Sequence, residues 1–248
     1  MRELAVVVGA TGAMGRLICR ALGESGLQVV AVARSAGALD DLGRDLPGIR
    51  GCTADIAEDS SMQAISACLD APVRMVVQGA GVATAGGVLE AAAGALAEAV
   101  NIKAGGMLRL VRAADAWLQP GSRLVAIGGH YGFEPSAYAA TAGVANAALA
   151  NLVRQLSWAY GARHITSHLL APGPADTDRL RRVAGARAAR DGQTVDEVLQ
   201  HMRQESAIGS LTAVEQVAWA VQLLLAPHAD ALAGSTLFLD AGRRKGLP

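Results

Sequence analysis

Apolar residues in this chain keep two rhythms. Short runs dominated by them, three to six residues long, recur at 4–8, 29–33, 50–52, 73–77, 123–127, 165–170 and 236–239. Between the runs, apolar residues fall three or four apart, at 15–23, 36–45, 60–67, 91–117, 136–160 and 213–225. A run without alternation is how a strand reads when helices cover both its faces, and the wider spacing is that of a helix with one buried side. The alternation predicts an α/β fold whose crossover helices link parallel strands. Because such crossovers are right-handed, a doubly wound seven-stranded parallel sheet is the natural topology. No repeat, linker or low-complexity tract interrupts the pattern, so one domain over 1–248 is expected.

Composition narrows the partners. With 52% hydrophobic and 18% charged residues the chain can bury a large interior, and its formal net charge of zero gives no pull toward nucleic acid or an anionic membrane. Cys19, Cys52 and Cys68 stand apart without metal-ligand spacing, so neither a metal site nor a closed disulfide framework is expected, and a reducing cytoplasm is the simple location. The first apolar run breaks at Gly9, too early for a signal core or a membrane span. A small-molecule substrate is the remaining class of partner.

The chemistry-bearing segments follow the strands in order. Gly9-Ala10-Thr11-Gly12-Ala13-Met14-Gly15 comes directly after the first run and opens a helix. Glycines there let backbone approach a pyrophosphate, and the helix start offers it free N–H groups. Arg34-Ser35 follows the second run, Asp55-Ile56 the third and Gln78-Gly79-Ala80-Gly81 the fourth. Asn101-Ile102-Lys103-Ala104 lies within a helical stretch, Pro172-Gly173-Pro174-Ala175-Asp176-Thr177 follows the sixth run, and Leu239-Asp240-Ala241-Gly242 closes the last.

Taken together and in this order, these segments resemble the short-chain dehydrogenase/reductase family over nearly the whole chain. The resemblance implies a Rossmann-like fold in which residues 9–15 hold the pyrophosphate, Asp55 and Ile56 the adenine, residues 78–81 the ribose, and Pro172, Gly173 and Thr177 the nicotinamide. An acidic residue after the second strand would bind the ribose of NAD; Arg34 stands there instead, and a guanidinium suits the 2′-phosphate of NADP(H). The alternative for Arg34 is a solvated charge at a strand end. The resemblance further implies a homodimer or homotetramer built through the helices at 91–117 and 136–160, and a substrate lid at 178–210. The lid carries Arg179, Arg181, Arg182, Arg187 and Arg190, read either as a clamp for an anionic substrate or as the solvated face of a helix.

The reactive side chains of the family are where the sequence departs. The helix Asn146-Ala-Ala-Leu149 onward resembles the one that begins at the family's lysine, which places Asn146 at the lysine, Ala142 at the tyrosine and Gly129, thirteen residues earlier, at the serine. Candidate substitutes are His130, whose imidazole titrates near neutrality, Tyr138, one helical turn before Ala142 if the helix starts at Pro135, and Asn101, which matches the family's helix asparagine. Tyr131 is a further candidate without a positional argument, and His164, His168, His201 and His228 read as loop, strand and surface residues. Three readings follow: an NADP(H)-dependent reductase of an activated acceptor, a dinucleotide-binding subunit without turnover, or a non-redox enzyme on the same fold. If the register is right, the combined substitution Gly129→Ser, Ala142→Tyr and Asn146→Lys should confer reduction of ordinary ketones, followed as NADPH oxidation; an inert triple variant that folds and binds NADPH would refute the register.

Overall fold

Every residue of β1 (Leu4–Val8) is buried. Successive side chains of a strand point to opposite faces, and Leu4, Val6 and Val8 enter one core while Ala5 and Val7 enter another. The computed structural model, which describes residues 2–82 and 86–246, shows how both faces are covered. β1 joins β2 (Gln28–Ala33), β3 (Arg50–Thr53), β4 (Val73–Gln78), β5 (Leu118–Ile127), β6 (Thr166–Pro172) and β7 (Thr236–Leu239) in one parallel sheet of order 3-2-1-4-5-6-7. In chain order the helices are α1 (Ala13–Glu24), α2 (Ala36–Asp45), α3 (Ser60–Ser66), α4 (Ala93–Val100), α5 (Gly106–Ala114), α6 (Ala140–Gly161), α7 (Asp178–Asp191), α8 (Val195–Gln204) and α9 (Val214–Leu223). Ile18, Leu42 and Val221 bring α1, α2 and α9 onto one face; Ile65, Leu110 and Leu149 bring α3, α5 and α6 onto the other. Each such side chain is worth about 1.5–3 kcal/mol when fully buried.

Three elements depart from the sequence pattern. The helix expected over 91–117 is interrupted by a π-helical turn, Asn101–Gly105, and ends in a 3₁₀ turn, Asp115–Trp117. The buried Gln78 side chain causes the first break: its Nε2 donates to the Ile102 carbonyl at 2.8 Å, competing with the helix for that acceptor. The helix expected over 136–160 starts only at Ala140. The Ala137 carbonyl, which a helical first turn would use, accepts instead from the Val88 amide at 2.7 Å. Within the segment expected as a lid, α7 is capped by Thr177, whose Oγ1 accepts from the Leu180 amide, and closes at Gly192 with φ of 67°. It packs on α8 through Ala184, Ala188, Val198, Leu199 and Met202, a small core of its own.

At the amino end of the sheet a polar chain locks β5, β6 and the segment after α9 together. Arg123, 1% exposed, donates to the Leu224 and Ala226 carbonyls and to Thr166 Oγ1, and pairs with Asp230 at 2.5 Å. His168 Nδ1 lies 3.1 Å from the Leu232 carbonyl, which can only accept, so Nδ1 carries the proton. Nε2 then accepts from Thr166, 2.7 Å away, giving a chain directed from guanidinium to hydroxyl to imidazole to carbonyl. Removing the buried partner strands several acceptors: Arg123→Met should cost about 3–5 kcal/mol and lower the thermal midpoint by roughly 10 °C, whereas Asp230→Asn, on the exposed side, should cost under about 1 kcal/mol. Equal shifts in the two variants would contradict this account.

Candidate active site

The strand order reverses between β1 and β4, and the turns that follow these strands touch through backbone alone. A Cβ on Gly9, which has φ of +77°, would lie 2.8 Å from the Gly79 carbonyl oxygen; one on Gly79 would lie 2.9 Å from that of Val8, and one on Gly15 only 2.1 Å from that of Gly9. Each approach therefore requires glycine. Gly12 is different, because a side chain there would meet only the Gly9 oxygen, at 3.4 Å. It is the N-cap of α1 and has no capping side chain, so the first-turn N–H groups of Ala13 and Met14 beside Thr11 keep the donors that suit a pyrophosphate.

Beside this turn, at the ends of β2 and β3, lies a cavity of about 460 Å³ lined by Arg34, Asp55, Ser60 and Ser61 among others. Ser61 is 1% exposed and its Oγ has no partner, an orphaned buried hydroxyl inside a nucleotide-sized space. Asp55 holds the Ala57 amide at 3.0 Å, Ile56 is buried, and Ser35 is occupied as the N-cap of α2, accepting from the Ala38 amide at 3.2 Å. Gln78 accepts from the Ala80 amide while donating to Ile102, so one side chain braces the Gly79–Gly81 turn against the π-helical turn. Gly173 donates to the Leu239 carbonyl, which ties the segment from Pro172 to Thr177 to the end of β7. These residues fit a dinucleotide lying across the carboxyl ends of β1, β2, β3, β4 and β6.

The other end of the crevice holds the candidate reactive groups. Gly129 and Asn146 are neighbours, for a Cβ on Gly129 would sit 2.8 Å from Asn146 Nδ2. Asn146 is 6% exposed and its Oδ1 has no partner. His130 is 3% exposed with Nε2 also unpartnered; burial above all, then Arg243, pull its pKa down to about 4 against the Pro172 carbonyl, Asp240 and Glu134. It is neutral at pH 7, an acceptor rather than a ready acid. Asn101 faces away, donating to the Ala57 carbonyl at 3.1 Å and accepting from Arg109 at 2.9 Å. Tyr138 lies outside α6, in the turn before it, and its hydroxyl is 2.6 Å from that of Tyr131. The premise of a helix running from Pro135 therefore fails.

Two cations turn inward, and of these Lys103 escaped the sequence reading. Lys103, 6% exposed, donates to the Ile127 carbonyl at 2.7 Å, and burial first, with Arg179 second, brings its pKa down to about 8. Arg179 reaches back from α7 to the Val82 carbonyl at 2.6 Å. Of the other α7 arginines, Arg187 turns inward over the Tyr138 ring, while Arg181 and Arg190 pair with Asp176 and Asp191 outside. Among the described residues no cluster of three His, Cys, Asp or Glu could hold a metal, and no helix is long and apolar enough to cross a membrane.

A family model described as enoyl-(acyl carrier protein) reductase matches residues 9–244. The chain belongs to the short-chain dehydrogenase/reductase family, and with it to the oxidoreductases. It is 28% identical over 251 residues to galactitol 2-dehydrogenase (L-tagatose-forming) of Cereibacter sphaeroides, covering 96% of this chain and 93% of that one. To the 3-oxoacyl-(acyl-carrier-protein) reductase of Pseudomonas aeruginosa it is 27% identical over 251 residues, covering 97% and 96%. An actinorhodin polyketide ketoreductase variant with NADPH superposes with a TM-score of 0.90 at 24% identity, covering 98% and 97%. L-sorbose reductase of Gluconobacter frateurii, complexed with NADPH and L-sorbose, does so at 0.89 and 21%, covering 99% and 98%. These two structures establish the fold.

The buried imidazoles carry a pH signature. His168, like His130, is brought down to about 4, by burial and then Arg123. An unfolded histidine takes up its proton near about 6.5. Between that value and about 4 the unfolded chain binds protons that the folded one refuses, so stability is complete above the upper limit and falls as the pH drops. Thermal unfolding should shift down by several degrees between about pH 7 and 5, and His130→Asn should reduce that dependence; a flat profile would show that the imidazoles protonate without cost.

Proposed function

We propose that this chain is an NADP(H)-dependent reductase of an activated small-molecule acceptor, such as an iminium, a quinone or a polarised ketone. The observation that carries the reading is the cavity at the ends of β2 and β3, where Arg34 and the unpartnered Ser61 hydroxyl stand and no carboxylate follows β2. Guanidinium and hydroxyl suit a 2′-phosphate, and a carboxylate directly after β2 would repel one. The named relatives, a sugar-alcohol dehydrogenase and an oxoacyl reductase, support carbonyl chemistry.

A bound NADPH supplies the hydride. In this reading the backbone from Gly9 to Gly15 receives the pyrophosphate, Asp55 and Ile56 the adenine, residues 78–81 the ribose, and Pro172, Gly173 and Thr177 the nicotinamide. Asn146 Oδ1, buried and without a donor, would accept a hydrogen bond from a hydroxyl of the bound nucleotide or substrate. With Gly129 and Ala142 at the positions assigned to the family's serine and tyrosine, those positions offer the substrate no hydroxyl, which is why the acceptor must be activated; His130 accepts rather than donates, and Tyr138 remains as a source of protons. The loss of a positioned acid costs about a hundred- to ten-thousandfold in rate, and an activated acceptor relieves part of that demand.

A second reading, a dinucleotide-binding subunit without turnover, draws on the same two positions and on Trp158, 85% exposed on α6. A homodimer or homotetramer packed through α4, α5 and α6 agrees with either reading. Calorimetric titration should give tight NADPH binding and weaker NADH binding, with Arg34→Ala weakening NADPH by roughly tenfold to a hundredfold and leaving NADH nearly unchanged. Equal affinity for the two nucleotides, or none, would sink the assignment.

A further inference from the structure

Three segments at the carboxyl end of the sheet meet at Tyr138: its own loop after β5, helix α7 and the stretch after β4. Its ring meets that of Tyr131 edge to face at 5.6 Å, and the two hydroxyls share a 2.6 Å hydrogen bond. From α7 of the lid the Arg187 guanidinium stands over the Tyr138 ring, 4.2 Å from its centroid. The segment after β4 closes the third side: Val88 is bonded to the Ala137 carbonyl, and a Cβ on Gly87 would lie 3.4 Å from Tyr138 Cα. Open α/β sheets place their ligands at this end.

Two phenols in one hydrogen bond have one donor, and the surroundings decide which. Burial pushes both upward. Tyr131 stays above the ordinary tyrosine value, whereas at Tyr138 the hydrogen bond from Tyr131 and the Arg187 charge, followed by Ser136 and Arg243, outweigh burial and bring it below. Tyr131 therefore donates to Tyr138, and the Tyr138 proton is left free for another acceptor.

We propose that Tyr138 is the proton donor of this reductase, held by the Tyr131 hydroxyl and by Arg187 of α7 in place of the tyrosine and lysine expected on α6. The proposal rests on the reductase reading above. As the acceptor carbon gains the hydride that bound NADPH supplies, the acceptor oxygen takes the Tyr138 proton and that O–H bond breaks. The products are the alcohol, NADP⁺ and a phenolate held by the Tyr131 O–H and Arg187. The phenolate then draws the Tyr131 proton across the shared hydrogen bond, and Tyr131 recovers one from water in the 200 Å³ cavity that it lines with His130 and Ser136. Because Arg187 belongs to the lid, the acid reaches full strength only when the lid is in place.

The chain has three tyrosines, and burial together with Asp115 pushes the third, Tyr160, up to about 12. Titration of tyrosinate absorbance in the full chain should therefore show one ionisation below the ordinary value of about 10. Tyr138→Phe should abolish it, and Tyr131→Phe and Arg187→Met should move it upward. With NADPH and a carbonyl acceptor, Tyr138→Phe should lower kcat about a hundredfold or more while KM stays within a few-fold; Arg187→Met should lower it roughly tenfold, with Arg187→Lys partly restoring it. An enzyme that oxidises NADPH but lacks the early ionisation, or keeps its kcat in Tyr138→Phe, retains the reductase reading and overturns this one. Early ionisation without NADPH oxidation by any carbonyl or quinone overturns both.

Discussion

The whole carboxyl end of this sheet depends on contact between bare backbones. Gly9 and Gly79 bring the turns after β1 and β4 together with no side chain between them, and Gly15 lets the start of α1 close on the first of these turns. The topology reverses at that point, and the reversal opens the crevice that the remaining candidate residues line. Ligand geometry and strand order thus have one cause, since a side chain at Gly9 or Gly79 would force the two turns apart.

The two ends of the sheet are built to opposite standards of polar satisfaction. At the amino end Arg123, Thr166, His168 and the carbonyls of Leu224, Ala226 and Leu232 close on one another. Four buried side-chain atoms among the described residues lack a partner, and three of them, Ser61 Oγ, His130 Nε2 and Asn146 Oδ1, lie at the carboxyl end. Leaving a buried polar group unpaired costs about 1–3 kcal/mol. Such a cost concentrated at one end of the sheet supports the proposal that a ligand completes the bonding there.

The sheet was legible in the sequence because burial on both faces writes continuous apolar runs such as Leu4–Val8. The glycine turn and Arg34 were legible for a similar reason, each being a local segment at a strand end. What could not be read depended on distant partners. The break in the long helix comes from Gln78, far away in sequence, and the late start of α6 comes from Val88. The arginine run of α7 gave no sign that Arg179 and Arg187 turn inward while Arg181 and Arg190 face out. Lys103 did leave a trace: it shares a helical stripe with Ala99, Gly106, Met107 and Leu110, all buried, and a lysine in such a stripe is a buried lysine.

The π-helical turn at Asn101–Gly105 has an evolutionary implication. A π turn is an α-helix with one residue too many, and the surplus is absorbed locally so that the helices before and after it keep their facing. Loss of a single residue within 101–105 would straighten this segment while leaving the facing of the helices on either side unchanged. The ammonium held at the end of β5 therefore sits at the point of this helix where the chain can change length by one residue without disturbing the fold around it.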